Sequence, residues 1–210
     1  MKRACLLILI PLMGCHAVDR LNGHHHHEQL QKIVIMGSGQ SNAGHSELWE
    51  RINDLMQGYG YDSSFGFYAK SNTSSFQWAS NDECILDEFS KEVCLLKPTD
   101  ILWMQGEGDA FTSPEEYADN ITVVINKART VVPNVRFWVA LESYDPNNVL
   151  VGRSNVRDGQ RLLVSRGVAR PGIDADSFRT PELTVAEGLH FNPEGLEKLA
   201  DRWVALLKTL

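Results

Sequence analysis

Cations are in short supply in this 210-residue chain: 20 Lys and Arg stand against 27 Asp and Glu, a formal net charge of −7. No Lys/Arg cluster is long enough to follow a phosphate backbone, so nucleic acid is not an expected partner. Long apolar runs are missing too. The stretch from Leu6 to Met13 is too short to span a bilayer as a mature helix, and no transmembrane pattern or internal repeat follows it. Cysteine is sparse, at four residues, and Cys84 and Cys94 do not by themselves make a metal site. What is present is ordinary for a folded enzyme. A hydrophobic fraction of 43% with 22% charged residues can bury a sizeable core in one domain.

The N-terminus reads as a processing signal. Met1-Lys2-Arg3 is a basic start, the apolar run follows, and Leu12-Met13-Gly14-Cys15 is similar to a bacterial lipobox. Residues 1–14 are therefore expected to be a lipoprotein signal peptide and Cys15 the lipidated residue, with 15–31 as tether and 32–210 as the folded domain. This makes the protein exported and held by a lipid anchor at the periplasmic or cell-surface face of a membrane, with His16 after Cys15 pointing to the outer one. Cys84 and Cys94, in an oxidising compartment, form a possible disulfide. The run His24–His27 reads as exposed linker rather than a metal site, because no carboxylate pattern nearby completes one.

Downstream, short apolar runs alternate with helical patterns. Strands are expected at Ile33–Met36, Phe65–Ala69, Ile101–Met104 and Val135–Leu141, and helices at about 42–57, 83–96, 114–131, 152–168 and 193–208. Ser113-Pro114-Glu115-Glu116 and Asn192-Pro193-Glu194 both have the cap, first-turn proline and early acid of a helix start. The strands show little polar alternation, as central parallel strands covered on both faces do. The expected fold is thus α/β, a three-layer α/β/α sandwich around a parallel, flavodoxin-like sheet, with its site beyond the carboxyl ends of the strands.

Ser41 after the first strand, Gln105-Gly106-Glu107 after the third and Glu142-Ser143 after the fourth fall at that end. Lys32-Ile33-Val34-Ile35-Met36 opens through Gly37-Ser38-Gly39-Gln40 to Ser41 on a turn. Near the other end of the chain, Glu187-Gly188-Leu189-His190 sets an acid three residues before a histidine, just ahead of the last helix. A serine hydroxyl is a poor nucleophile and needs a base in hydrogen-bond reach, which an orienting carboxylate holds in the right tautomer. Ser41, His190 and Glu187 supply those three parts. Ser38 is a rival nucleophile and His45 a rival base, while Ser41 as a mere helix cap, His190 as a satisfied surface histidine, and Gln105 and Glu107 as structural hydrogen-bonders under the sheet's edge are the bland alternatives.

Gly39-Gln40-Ser41-Asn42-Ala43 resembles the first block of the SGNH hydrolase superfamily, in the branch that holds sialate O-acetylesterases and acetylxylan esterases. Ser71-Asn72-Thr73-Ser74-Ser75-Phe76-Gln77-Trp78, Trp103-Met104-Gln105-Gly106-Glu107-Gly108-Asp109 and Glu187-Gly188-Leu189-His190-Phe191 correspond in order to the later blocks. The resemblance implies a carbohydrate O-acetylesterase that works through an acetyl-serine without metal or organic cofactor, on an O-acetylated carbohydrate. It also implies an oxyanion and substrate-binding set of Asn72, Gln105, Gln40 and Glu107, with the backbone amides of Ser41 and Asn72 and the Gln105 side chain as oxyanion donors. Two positions depart from the family. Glu187 replaces an aspartate, and Ser71-Asn72 replaces paired glycines, although Asn tolerates left-handed backbone better than most residues. Trp49, Trp78 and Trp103 are read as core or as sugar platforms. The alternatives are a lipolytic esterase or lysophospholipase of the same superfamily, which would carry a Gly-Asp-Ser-Leu block that is absent here, and a degenerate sugar-binding surface lipoprotein.

Overall fold

A computed structural model describes residues 30–144 and 150–209. The expected signal peptide, Cys15 and the histidine run lie outside the described residues. Five strands make one parallel sheet: β1 (Lys32–Gly39), β2 (Asp62–Ala69), β3 (Asp100–Met104), β4 (Arg136–Leu141) and β5 (Arg170–Asp174), in the order β2-β1-β3-β4-β5. Six α-helices accompany it: α1 (Ser46–Gly58), α2 (Ser75–Ala79), α3 (Ile85–Leu96), α4 (Pro114–Val131), α5 (Leu150–Ser165) and α6 (Pro193–Leu207).

The period of two along each strand decides how the layers assemble. Ile33 and Ile35 of β1, Leu102 and Met104 of β3, and Trp138 and Ala140 of β4 face one core with Trp49 and Ile52 of α1 and Leu199 and Trp203 of α6. Their alternates Met36, Ile101, Trp103, Phe137 and Val139 face the second core. There they meet Phe89 of α3, Ile121 and Ile125 of α4 and Leu163 of α5. Two buried apolar faces make the expected three-layer α/β/α sandwich. Among the described residues no helix is long and apolar enough to cross a membrane.

Several boundaries differ from expectation, for local reasons. β1 does not stop at Met36 but runs to Gly39, because Gly37, Ser38 and Gly39 keep ladder partners in both β2 and β3; Trp49 explains the glycine at 37, its ring lying 2.1 Å from where a Cβ would stand. The first expected helix splits into a 3-10 turn (Ser41–Gly44) and α1, since His45 between them is extended (φ −82, ψ 106). β2 begins at Asp62, three residues before the expected start, and its polar opening hid it. β5 was not expected: Arg170-Pro171-Gly172 carries no strand signal, and such a segment pairs only at a sheet edge, where β5 lies.

The possible disulfide is not formed, and Cys84 and Cys94 are both free and exposed. Cys84 caps α3 and Cys94 lies ten residues along it. That separation is about 15 Å of helix rise, well beyond the reach of a disulfide.

At the amino ends of the strands, far from the expected site, buried Asp100 accepts from Arg136 Nε (2.6 Å) and Nη2 (2.5 Å), from Trp138 Nε1 (2.8 Å) and from Thr99 Oγ1 (2.7 Å). Asp100→Ala leaves a guanidinium and an indole N–H without their acceptor. It is expected to cost about 3 kcal/mol or more in urea unfolding, with kcat unchanged in the surviving folded protein.

Candidate active site

The strand order places a topological switch point between β1 and β3. From β1 the chain moves out to β2, then returns to the other side of β1 for β3, so the loops after β1 and β3 diverge and leave a crevice. Gly39 makes this crevice possible. Its φ of +135 suits glycine, and a Cβ there would lie 1.9 Å from the Met104 carbonyl oxygen. Gln40 N donates to that same carbonyl at 2.8 Å, which closes β1 against β3 immediately before Ser41. The 3-10 turn that follows is anchored by Trp49 Nε1, donating to Ala43 O at 2.8 Å.

Ser41 and His190, 149 residues apart in sequence, meet there. Ser41 Oγ lies 3.0 Å from His190 Nε2, and His190 Nδ1 lies 2.6 Å from Glu187 Oε1. With Nδ1–H donating to Glu187, Nε2 is left as the acceptor of the Ser41 proton, the tautomer that a general base requires. That hydrogen bond also holds the Glu187 carboxyl below the usual glutamate range. Glu187 reaches the ring across a single turn in which Gly188 takes a left-handed φ of 73, and its side chain remains 53% exposed.

The rivals fall away on geometry. Ser38 is buried and donates its hydroxyl to Tyr68 O at 2.8 Å. His45 is the N-cap of α1, and its ring meets that of His190 edge-on at 6.4 Å between centroids, while His190 itself holds Ser41. The three tryptophans read as core or sugar platforms are wholly core, since Trp49, Trp78 and Trp103 have no exposed surface.

Of the oxyanion and substrate-binding set, Asn72 alone is exposed. It adopts the left-handed backbone that the sequence suggested, with a φ of 57. Its turn is fastened beside the end of β1, where Lys70 N donates to Gly39 O at 3.0 Å and Thr73 Oγ1 to Lys70 O at 2.7 Å. The other three are buried braces, which corrects the expectation for them. Gln105 Nε2 donates to Thr73 O at 3.2 Å and to Asp109 Oδ2, so both of its N–H groups are taken up and none remains for an oxyanion. Gln40 Oε1 accepts from Gly108 N at 3.2 Å, and Glu107 Oε1 accepts from Asn42 Nδ2 at 2.9 Å.

Reasoning from sequence missed a layer directly beneath the triad. Asp109 accepts from both the backbone N (3.0 Å) and the hydroxyl (2.6 Å) of Ser75, tying the loop after β3 to the Asn72 turn, although burial raises its pKa. Arg179, its side chain 3% exposed, pairs with Glu142 at 2.9 Å and with Glu107 at 3.6 Å. Glu142 lies at the end of β4, where strand-end polar residues are a signal in sequence; Arg179 lies in an irregular segment and gave none.

No protein-family model matches the chain, and no curated protein matches its sequence. Solved structures do. A lipase/acylhydrolase from Enterococcus faecalis superposes with a TM-score of 0.67 at 16% identity, covering 86% of this chain and 96% of that one. A family 3 carbohydrate esterase of Clostridium thermocellum gives 0.62 at 18% identity over 85% and 98%. An acetyl esterase mutant with acetate ion gives 0.58 at 14% identity over 86% and 97%. Parallel strand order, helical layers and near-complete coverage together identify the architecture of this chain as the α/β fold of the SGNH hydrolases.

Proposed function

We propose that the protein is a serine esterase that removes O-acetyl groups from carbohydrates through an acetyl-serine intermediate. The observation that carries this reading is the Ser41–His190–Glu187 chain of hydrogen bonds, at 3.0 and 2.6 Å, at the switch-point crevice. In the proposed cycle His190 accepts the Ser41 proton as Oγ attacks the ester carbonyl, then returns it to the departing alcohol. The acetyl-serine is hydrolysed by water that His190 activates in turn. Glu187 stabilises the imidazolium as it forms. The backbone amides of Ser41 and Asn72 serve as oxyanion donors, a role in which each donor is worth roughly a hundredfold or more in rate.

Support for a short acyl group and a polar alcohol comes from the openness of the triad, with the His190 side chain 33% and that of Glu187 53% exposed. A partly apolar groove of about 400 Å³ lies nearby, lined by His45, Arg51, Val185, Phe191, Pro193 and Leu196 among others, but neither Ser41 nor His190 belongs to its lining. The test is hydrolysis of p-nitrophenyl acetate, butyrate and octanoate, followed by acetate release from acetylated xylan and O-acetyl sialic acid. The expected order is acetate first, with kcat/KM falling at least about tenfold by octanoate, the scale on which one or two methylenes discriminate. A preference for octanoate would establish the lipolytic reading instead.

The proposal extends to location: the protein is exported and tethered through a lipid on Cys15. Radiolabelled palmitate incorporated into the full chain, and lost in Cys15→Ala, is the expected result.

A further inference from the structure

The backbone on either side of His190 is held by the side chains of Asn42 and Arg179. Asn42, the residue after the nucleophile, donates from Nδ2 to the carbonyl of Leu189 and accepts on Oδ1 from the backbone N of Phe191, both at 3.4 Å. It thus touches the chain on both sides of the general base. The same Nδ2 faces Glu107 Oε1 at 2.9 Å and Glu142 Oε1 at 3.1 Å. Arg179 closes the ring: it too donates to Leu189 O, and its Nη2 meets Glu142 Oε1 at 2.9 Å.

Two buried carboxyl groups therefore face one guanidinium and one amide. Two carboxylates this close in a buried site repel one another, which disfavours ionisation of both. Asp176, a further carboxylate near the ring, pairs with Arg157 of α5, Nη1 to Oδ2 at 3.0 Å, and lies 3.8 Å from Arg179 Nε. Also from α5, Gln160 Oε1 accepts from Glu142 N at 3.1 Å. One proton on the pair relieves the repulsion. Burial, followed by the charge of Glu107, raises Glu142 well above the usual range, which makes it the carrier. Glu107 is raised by burial as well, with Arg179 opposing.

We propose that Asn42 is a positioning residue for His190, and that the Glu107–Glu142 carboxyl pair with Arg179 is its proton-sensitive support. The proposal rests on the serine-esterase reading only for its kinetic consequence. Asn42 Nδ2 carries two hydrogens against three acceptors, so Leu189 O competes with both carboxyl groups for the donors of Asn42 and Arg179; while the pair carries one proton, its neutral member competes less. When the last proton leaves at alkaline pH, the second carboxylate draws those donors towards itself, and the hold on Leu189 slackens. His190 then shifts relative to Ser41, and displacements of an ångström or less at a general base are costly. The linkage has a definite sign. A folded-state pKa raised above the unfolded one contributes stability that is full below the unfolded value and is lost as pH rises through the folded value.

The test uses the full chain with 15N-labelled histidine, His190 being assigned with His190→Gln. Its ring nitrogens are followed from about pH 6 to about pH 10, together with kcat and KM for p-nitrophenyl acetate. Wild-type His190 is expected to show a second, alkaline step besides its own protonation, with a fall in kcat of about tenfold and KM within about twofold. Glu142→Gln and Glu107→Gln each leave only one ionisable carboxyl in the pair, so both are expected to abolish the alkaline step. Asn42→Asp is expected to lower kcat about a hundredfold with little change in KM. An alkaline step that persists in both Gln variants, or its absence from the wild type, overturns the proposal. A His190 step that behaves as described in a protein that turns over no ester supports the support network and refutes the esterase reading.

Discussion

Ser41→Ala is expected to remove ester hydrolysis almost completely, by about four to six orders of magnitude in kcat, while leaving the fold intact. Ser41 Oγ stands at the mouth of the crevice and its hydrogen bond is to His190. The neighbouring turn is secured by other groups, namely Gln40 N on Met104 O and Trp49 Nε1 on Ala43 O. Loss of the hydroxyl should therefore change stability by no more than about 0.5 kcal/mol. His190→Ala should be similarly inactive, and the double variant scarcely worse than either single one, because nucleophile and base act as a unit. The measurement is burst and steady-state release of p-nitrophenol, with mass spectrometry for a 42 Da acetyl adduct (roughly the mass of an added ketene unit) on the peptide that contains Ser41. Turnover that survives in Ser41→Ala would place the reaction elsewhere, and the triad geometry would then be fortuitous.

Glu187→Gln ranks second in expected effect, at about a thousandfold in kcat. A buried triad aspartate replaced by its amide costs about ten-thousandfold, largely through the wrong imidazole tautomer. Glu187 is more exposed, at 53% of its side chain, so water can partly take its place and the loss should be smaller. The departure from aspartate also becomes intelligible. Glu187 and His190 are three residues apart around a left-handed Gly188, and the longer side chain spans the gap to Nδ1 at 2.6 Å. Glu187→Asp shortens that reach by one methylene and should cost about tenfold, with restoration by no change of pH. Glu187 is depressed by the His190 hydrogen bond, so its contribution is present above the ordinary glutamate pKa and lost only as pH falls through the lowered one. Glu187 should accordingly not set the acid limb of activity, which is expected to survive unmoved in Glu187→Asp. A limb that moves in that variant would make Glu187 itself the titrating group.

Much of this molecule is legible in its sequence because its signals are local. The run Ile33–Met36, the helix starts at Ser113-Pro114 and Asn192-Pro193, and the layer assignment by alternate residues all follow from periodicity and capping over a few positions. Asn at position 72 is compatible with the left-handed backbone found there, but nothing local requires it. Where chain-distant residues decide, the sequence misleads. The strand runs on through Gly37 because β2 and β3 both pair with it, and Pro171 lies in a strand because β5 is an edge.

The same division holds at the site. The chemical roles proposed for Ser41, His190 and Glu187 come from residue type and order, since a hydroxyl nucleophile needs a base and a base needs an orienting acid. Whether the Gln105, Gln40 and Glu107 side chains face a substrate or brace the floor is not readable, because donor capacity is settled by whichever partner lies nearest in space. Burial against Thr73, Asp109, Gly108 and Asn42 assigned all three to the floor. Arg179 is the extreme case. Its sequence neighbours announce nothing, and only the convergence of β3, β4 and the segment before α6 brings two acids and the Leu189 carbonyl around it. Residue type and order thus determined the layers and the reacting groups of this protein. Tertiary structure alone decided the buried charge balance that supports them, because the cost of burying a charge depends on every neighbour at once and on none of them in sequence.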